Sequence, residues 1–199
     1  MDIHYPAELE RFANQHLKSY LELDSYNILI EKARSLRGQL LKGEWKFLIP
    51  REHPLTFKKN NSNLQIDIAC KIEGLGSEIK KHNIELRVWL IKNDTRELIF
   101  NFRIDRRDSN AKEPKHHMHI GDFDAPRFPF PPMDIILLCE FVLVNFFHEK
   151  SEDLRKDGGW RTIVIKSQHL FQKEYFHMCQ NCIVNYSDAT LMEHLLNLP

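Results

Sequence analysis

Three stretches in the middle of the chain alternate between apolar and polar positions. Leu64, Ile66, Ile68, Cys70 and Ile72 share one parity in the first stretch, and Ile84, Leu86, Val88 and Leu90 in the second. Leu98, Phe100, Phe102 and Ile104 do so in the third. A period of two puts alternate side chains on one face of a strand, so each stretch predicts a half-buried strand with its even-numbered residues inward. Lys92-Asn93-Asp94-Thr95 joins the last two as a hairpin, and Asn60-Asn61-Ser62-Asn63 marks a turn before the first. His116 to Ile120 is expected as a fourth strand. Trp45 to Pro50 and Leu55 to Lys59 read as short strands broken by prolines, which suits an edge.

Outside this region the period becomes helical. Leu9, Phe12, Ala13, Leu17 and Leu21 follow Pro6, a residue suited to a first turn. Ile28, Leu29, Ala33, Leu36, Leu40 and Leu41 form the stripe of a second helix, capped by Asp24 or Ser25 and stopped at Gly43. Met133 to Lys150 is apolar nearly all round and predicts a buried helix. Ser151 to Gly159 is a charged break. Trp160 to about Tyr186 reads as one long helix, and Ser187 or Asp188 caps a final short one with Leu191, Met192, Leu195 and Leu196. Strands in the middle and helices at both ends give an α+β class, with an antiparallel sheet carrying helices on its apolar face. A single domain over 1–199 follows, with N-terminal helices to 43, the sheet over 44–120 and C-terminal helices from 133.

Composition narrows the function. Lys and Arg number 28 and Asp and Glu 28, so no global basic field draws in nucleic acid or an anionic membrane. Apolar residues make up 42% of the chain, with 13 phenylalanines, enough to bury a core. The longest apolar run, Ile135 to Phe147, is interrupted by Glu140 and Asn145 and is short of the ~20 residues a spanning helix needs. No secretory signal opens the chain, so a cytoplasmic protein with no membrane association is expected, its four cysteines reduced. Cys179-Gln180-Asn181-Cys182 is a lone CxxC inside a predicted helix, and core thiols free of zinc are the expectation. There is no GxxxxGK[ST], no GxGxxG after a strand and no GxSxG, which removes most of the weight from nucleotide-dependent and serine-hydrolase readings.

The chemistry concentrates where the sheet meets the buried helix. If even positions face the core, Asp67, Lys71, Glu85, Arg87, Asn101, Arg103 and Asp105 share the other face. His117 and His119 join them if Met118 and Ile120 point inward. Charged cross-strand pairs on a wet sheet face are ordinary, so Asp67, Glu85 and Arg87 taken singly read as surface pairs. Two histidines at i, i+2 on one strand, beside an arginine and a carboxylate, fit general acid–base work on a phosphodiester. The candidate catalytic residues are His117, His119, Asp105 and Arg103; the candidate substrate-binding residues are Arg127, Lys115 and Arg87. The two histidines with Asp105, Asp122 or Asp124 also make a nitrogen–oxygen set that zinc or manganese accepts. No HExxH or second paired motif supports it, so no metal and no cofactor is expected.

The order Arg103-Ile104-Asp105, a loop to Pro114, His117-x-His119, Arg127-Phe128 and then Phe141 to Phe147 resembles the TumE-type toxins of bacterial toxin–antitoxin pairs and related bacterial families. About 70 of the 199 residues fall within this resemblance. It implies a small α+β protein of a toxin–antitoxin or phage-defence locus, with RNA as target. Two functions remain open: a toxin-like RNA-cleaving nuclease, and a non-catalytic antitoxin-like or accessory subunit that binds a protein partner encoded nearby. Neutral net charge favours the second; the histidine cluster favours the first.

Overall fold

The alternating stretches pair with one another as their periodicity requires. The computed structural model describes residues 3–76, 78–93, 95–106, 116–122, 127–172 and 175–176, without the side chains of 149–151 and 155. Helix α1 (Tyr5–Phe12) runs into one π-helical turn (Ala13–Leu17), and α2 (Leu23–Leu40) follows. Strands β1 (Glu44–Ile49), β2 (Leu55–Thr56), β3 (Leu64–Leu75), β4 (Glu78–Lys92), β5 (Thr95–Arg106), β6 (His116–Ile120) and β7 (Phe128–Pro129) come next. They precede α3 (Ile135–Phe146), α4 (His148–Lys156) and α5 (Gly158–His169). All seven strands join one antiparallel sheet in the order β1-β3-β4-β5-β6-β7, with β2 on β3 beside β1. No described helix is long and apolar enough to cross a membrane.

The core lies on the even face. Ile66, Ile68, Cys70 and Ile72 of β3, Ile84, Leu86 and Val88 of β4, and Phe102 and Ile104 of β5 are buried there. They form one cluster with Leu9, Phe12, Leu29 and Leu36 of the N-terminal helices and Ile135 to Cys139 of α3. Each such side chain contributes about 1.5–3 kcal/mol relative to leaving it in water. Gly74 of β3 illustrates how closely side chains of neighbouring strands press on the backbone. A Cβ there would stand 2.2 Å from the Trp45 ring and 2.4 Å from the Glu78 carbonyl oxygen, so only glycine fits under that indole. Trp45 Nε1 in turn donates to the Gly76 carbonyl at 2.8 Å.

Between β4 and β5 the alternation fails, for a definable reason. The β4–β5 register shifts between Val88 and Trp89, where Val88 pairs with Phe100 but Trp89 pairs with Leu98. One extra residue in β5 moves the following side chains to the other face. Arg96, an even position, therefore lands on the polar face with Trp89, and Leu98 is exposed rather than in the core. Phe100 is exposed as well; its ring lies 6.1 Å from that of Phe102, which in turn packs on Phe141 at 5.7 Å. Ile120 is exposed too, while Met118 packs on the core as expected.

The helices differ from expectation at their ends. The second begins at Leu23 with no side-chain cap; Ser25 is inside it, its Oγ accepting from the Thr56 amide at 2.8 Å. The apolar helix breaks at Phe147, which has φ −127° and ψ 50°, and α4 occupies the charged stretch expected as a break. Asp157 then caps α5, accepting from the amides of Gly159 and Trp160. Cys70 and Cys139 are buried free thiols, as expected for a reduced chain. The CxxC and the final predicted helix lie outside the described residues.

Candidate active site on the polar face of the sheet

Register alone assembles this site. The β4–β5 ladder sets Glu85 opposite Arg103 and Asn83 opposite Asp105. The β5–β6 ladder sets Arg103 opposite His119 and Asp105 opposite His117. Directly opposed residues share a face, so six polar side chains from three strands meet at the β6 end of the sheet.

Their contacts centre on Asp105. Arg103 Nε donates to Oδ2 at 2.5 Å, and Asn83 Nδ2 donates to Oδ1. His119 Nε2 stands 3.5 Å from the same Oδ2. The His117 and His119 rings meet edge-on with centroids 4.9 Å apart. One ligand-type atom from each of Asp105, His117 and His119 lies within 4.8 Å of the other two.

The odd face was expected to be wet, and at this end it is not. His117 is 4% and His119 2% exposed, whereas the side chains of Asp105 and Arg103 keep 17% and 32% of their surface. The histidines thus form the floor of the site and the Asp105–Arg103 pair its accessible rim. Buried surroundings strengthen every charge–charge contact among them and raise the cost of any uncompensated charge.

The other predicted residues divide. Arg87 lies on the same face but is engaged one position along, its guanidinium donating to the Arg51 carbonyl at 2.9 Å and standing 3.9 Å from Glu85. Glu85 also pairs with Arg51. Arg127 is half-buried immediately before β7, the strand that flanks β6. Lys115 and Asp124 lie outside the described residues. Asp122 falls outside the Asp105–His117–His119 group; it accepts from Asn101 at 3.0 Å.

Asp67 is a lock rather than a surface pair. Buried, it accepts from Thr56 Oγ1 at 2.8 Å, Trp89 Nε1 at 2.8 Å and Arg96 at 2.7 Å, with Arg96 stacked 4.5 Å from the Trp89 ring centre.

Sequence reasoning missed Asn83, whose only signal was its parity with Glu85 and Arg87. It also missed a second buried polar cluster. Asp134 caps α3, accepting from the Leu137 amide at 2.8 Å, and takes hydrogen bonds from Ser167 and Tyr5. Burial raises its carboxyl above the usual range, against the lowering effect of those donors. On the core face His82 donates through Nε2 to the Met133 carbonyl at 2.5 Å, and its ring meets that of His116. Burial pushes the His82 imidazole below its ordinary value.

No protein-family model, no curated protein and no solved structure matches the chain.

Proposed function

We propose that this chain is a toxin-like or phage-defence-associated nuclease that cleaves RNA by acid–base catalysis at His117, His119, Asp105 and Arg103. The observation that carries the reading is the convergence on one carboxylate. Asp105, held by Asn83 and Arg103, stands 3.5 Å from His119, and His117 is the next ring. Transphosphorylation of RNA asks for a base, an acid and a cation, because the 2′-hydroxyl is already the nucleophile. His119, oriented by Asp105, takes the 2′-hydroxyl proton as that oxygen attacks phosphorus. His117, as imidazolium, gives its proton to the departing 5′-oxygen, and Arg103 stabilises the charge on the phosphorane. Arg127 and Arg87 flank this centre as the cations for neighbouring phosphates.

The test is cleavage of an RNA oligonucleotide by purified protein in EDTA, beside the same sequence made of 2′-deoxynucleotides. RNA should yield 2′,3′-cyclic phosphate ends, the deoxy strand should stay intact, and His119→Ala should lower the rate about 10²–10⁴-fold. No cleavage, or an unchanged rate in a folded His119→Ala protein, ends this reading.

A second reading has its own observation. β5 pairs with β6 only from Phe102 to Arg106, so among the described residues its stretch from Thr95 has no strand on that side. Leu98, Ile99 and Phe100 are exposed along it. An accessory subunit would bind a protein partner through such an open, apolar edge. Growth arrest on expression without the neighbouring gene separates the two, since only a nuclease produces it.

A further inference from the structure

We infer that Asp105, His117 and His119 form a binding site for one divalent transition-metal ion of the zinc class, and that the ion competes with proton transfer at the same histidines. Two imidazoles and a carboxylate suit a borderline ion such as zinc or cobalt, and are too nitrogen-rich for magnesium or calcium. The spacing suits it as well. With metal–ligand bonds of about 2.0–2.1 Å, two ligands of a tetrahedral ion stand about 3.4 Å apart. His119 Nε2 and Asp105 Oδ2 are already 3.5 Å apart. The three ligand atoms lie within 4.8 Å of one another, so the widest pair closes by no more than about 1.4 Å, within reach of side-chain torsions.

The strands position these donors before any ion arrives. His117 and His119 are two residues apart on β6, and Asp105 is the cross-strand partner of His117. Asn83 and Arg103 hold the two carboxylate oxygens, the outer-shell support that metal-binding carboxylates need. Three protein ligands leave a fourth position open. Arg103 introduces a counter-effect, since its positive charge lies on the oxygen that would face the ion. It lowers metal affinity while serving the phosphorane, so one residue tips the site away from metal and towards acid–base use.

The competition rests on the nuclease reading; the metal site does not. His119 Nε2 faces Asp105, so Nδ1 is the nitrogen left to take a proton. An ion on Nε2 puts the neutral ring's single N–H on Nδ1, which then cannot accept one, and a filled site is a silent one. Zinc therefore acts as an inhibitor of RNA cleavage.

The experiment titrates the full-length, EDTA-stripped and dialysed protein with Co²⁺. A visible d–d band of a four-coordinate ion should saturate at one equivalent and be displaced by Zn²⁺. His117→Ala and His119→Ala should each weaken binding more than about 100-fold, beyond what loss of an outer-shell partner costs. His53→Ala, an exposed histidine elsewhere, should leave it unchanged. Arg103→Gln, which keeps a donor and removes the charge, should bind Co²⁺ more tightly than wild type. Absence of saturable binding, or binding retained in both β6 variants, overturns the metal site. Should those variants fail to fold, the Arg103→Gln comparison decides: equal or weaker binding overturns the proposal. In the same samples, cleavage by metal-free protein that Zn²⁺ stops in step with occupancy supports the competition. Cleavage that persists at full occupancy, or that needs Zn²⁺, overturns it. Stoichiometric binding with no cleavage under any condition sinks only the nuclease reading and leaves the metal site standing.

Discussion

Replacing Asp105 by asparagine separates an organising carboxylate from an ordinary surface pair. The substitution keeps one acceptor oxygen but turns the other into a donor facing a donor, either Arg103 Nε or Asn83 Nδ2. A hydrogen bond to a charged group is worth about 1.5–3 kcal/mol. One such bond is lost and the other becomes neutral. Because Asp105 and Arg103 keep 17% and 32% of their side-chain surface, solvent screens part of the loss, and about 2 kcal/mol is the expected cost. For a chain of this length that corresponds to a fall in Tm of about 4–8 °C. A matched control is Arg34→Gln, which removes an exposed ion pair with Glu10 at 2.9 Å and should cost no more than about 1 kcal/mol. Thermal melts by circular dichroism read the stability, and oligonucleotide cleavage at equal folded fraction reads the chemistry. Cleavage should fall by a factor of about 10² or more, because His119 loses its carboxylate. Equal Tm shifts in the two variants, with cleavage retained in Asp105→Asn, would refute the idea that this carboxylate organises anything.

Two further outcomes follow from buried contacts. Gly74→Ala should destabilise by at least about 1–3 kcal/mol, since its Cβ would stand 2.2 Å from the Trp45 ring, and altered Trp45 fluorescence before global unfolding would locate the strain; an unchanged urea midpoint contradicts it. Burial raises the Asp134 carboxyl above its unfolded value, so the native state holds that proton more tightly. Its contribution is complete below the unfolded pKa and is lost as pH rises through the folded pKa. The stability of wild type relative to Asp134→Asn should therefore decline from about pH 4 upwards, as read by urea unfolding of both proteins, and a difference that grows with pH reverses the sign and defeats the assignment.

The sheet was legible because a two-residue period is a direct imprint of a one-sided core. Ile66, Ile84 and Ile104 needed no more than parity to be placed. A bulge leaves no such imprint: nothing in Leu98-Ile99-Phe100 announces that one residue is extra, and that single residue moved Arg96 to the polar face and Leu98 out of the core. The helix α4 was readable in principle, since His148 to Lys156 contains Glu, Lys, Leu and Arg, all good helix formers; treating charge as a break outweighed propensity. The break at Phe147 was not, because no glycine or proline marks it. The gathering of His117, His119, Arg103 and Asp105 was legible from parity. The burial of the two histidines was not, because exposure depends on what packs over a face, and the alternation of a strand records only which face that is.

The geometry of the site is set by the core beneath it. His119 reaches Arg103, and His117 reaches Asp105, because Phe102 pairs with Ile120 and Ile104 with Met118 on the opposite face. A slip of one residue would turn His116 and Met118 to the polar side and bury the two site histidines in apolar surroundings. Ile104 is fully buried and Met118 packs on the same cluster, so that slip would remove apolar surface from the core worth about 1.5–3 kcal/mol per large side chain. The charged contacts on the polar face have a similar nominal range, but at the rim they are partly solvated and screened. Core packing therefore decides the register, and the register presents the carboxylate, the arginine and both imidazoles to one point. Losing Asp105 should disturb the chemistry with the ladder intact, whereas loosening Ile104 should displace both histidines together.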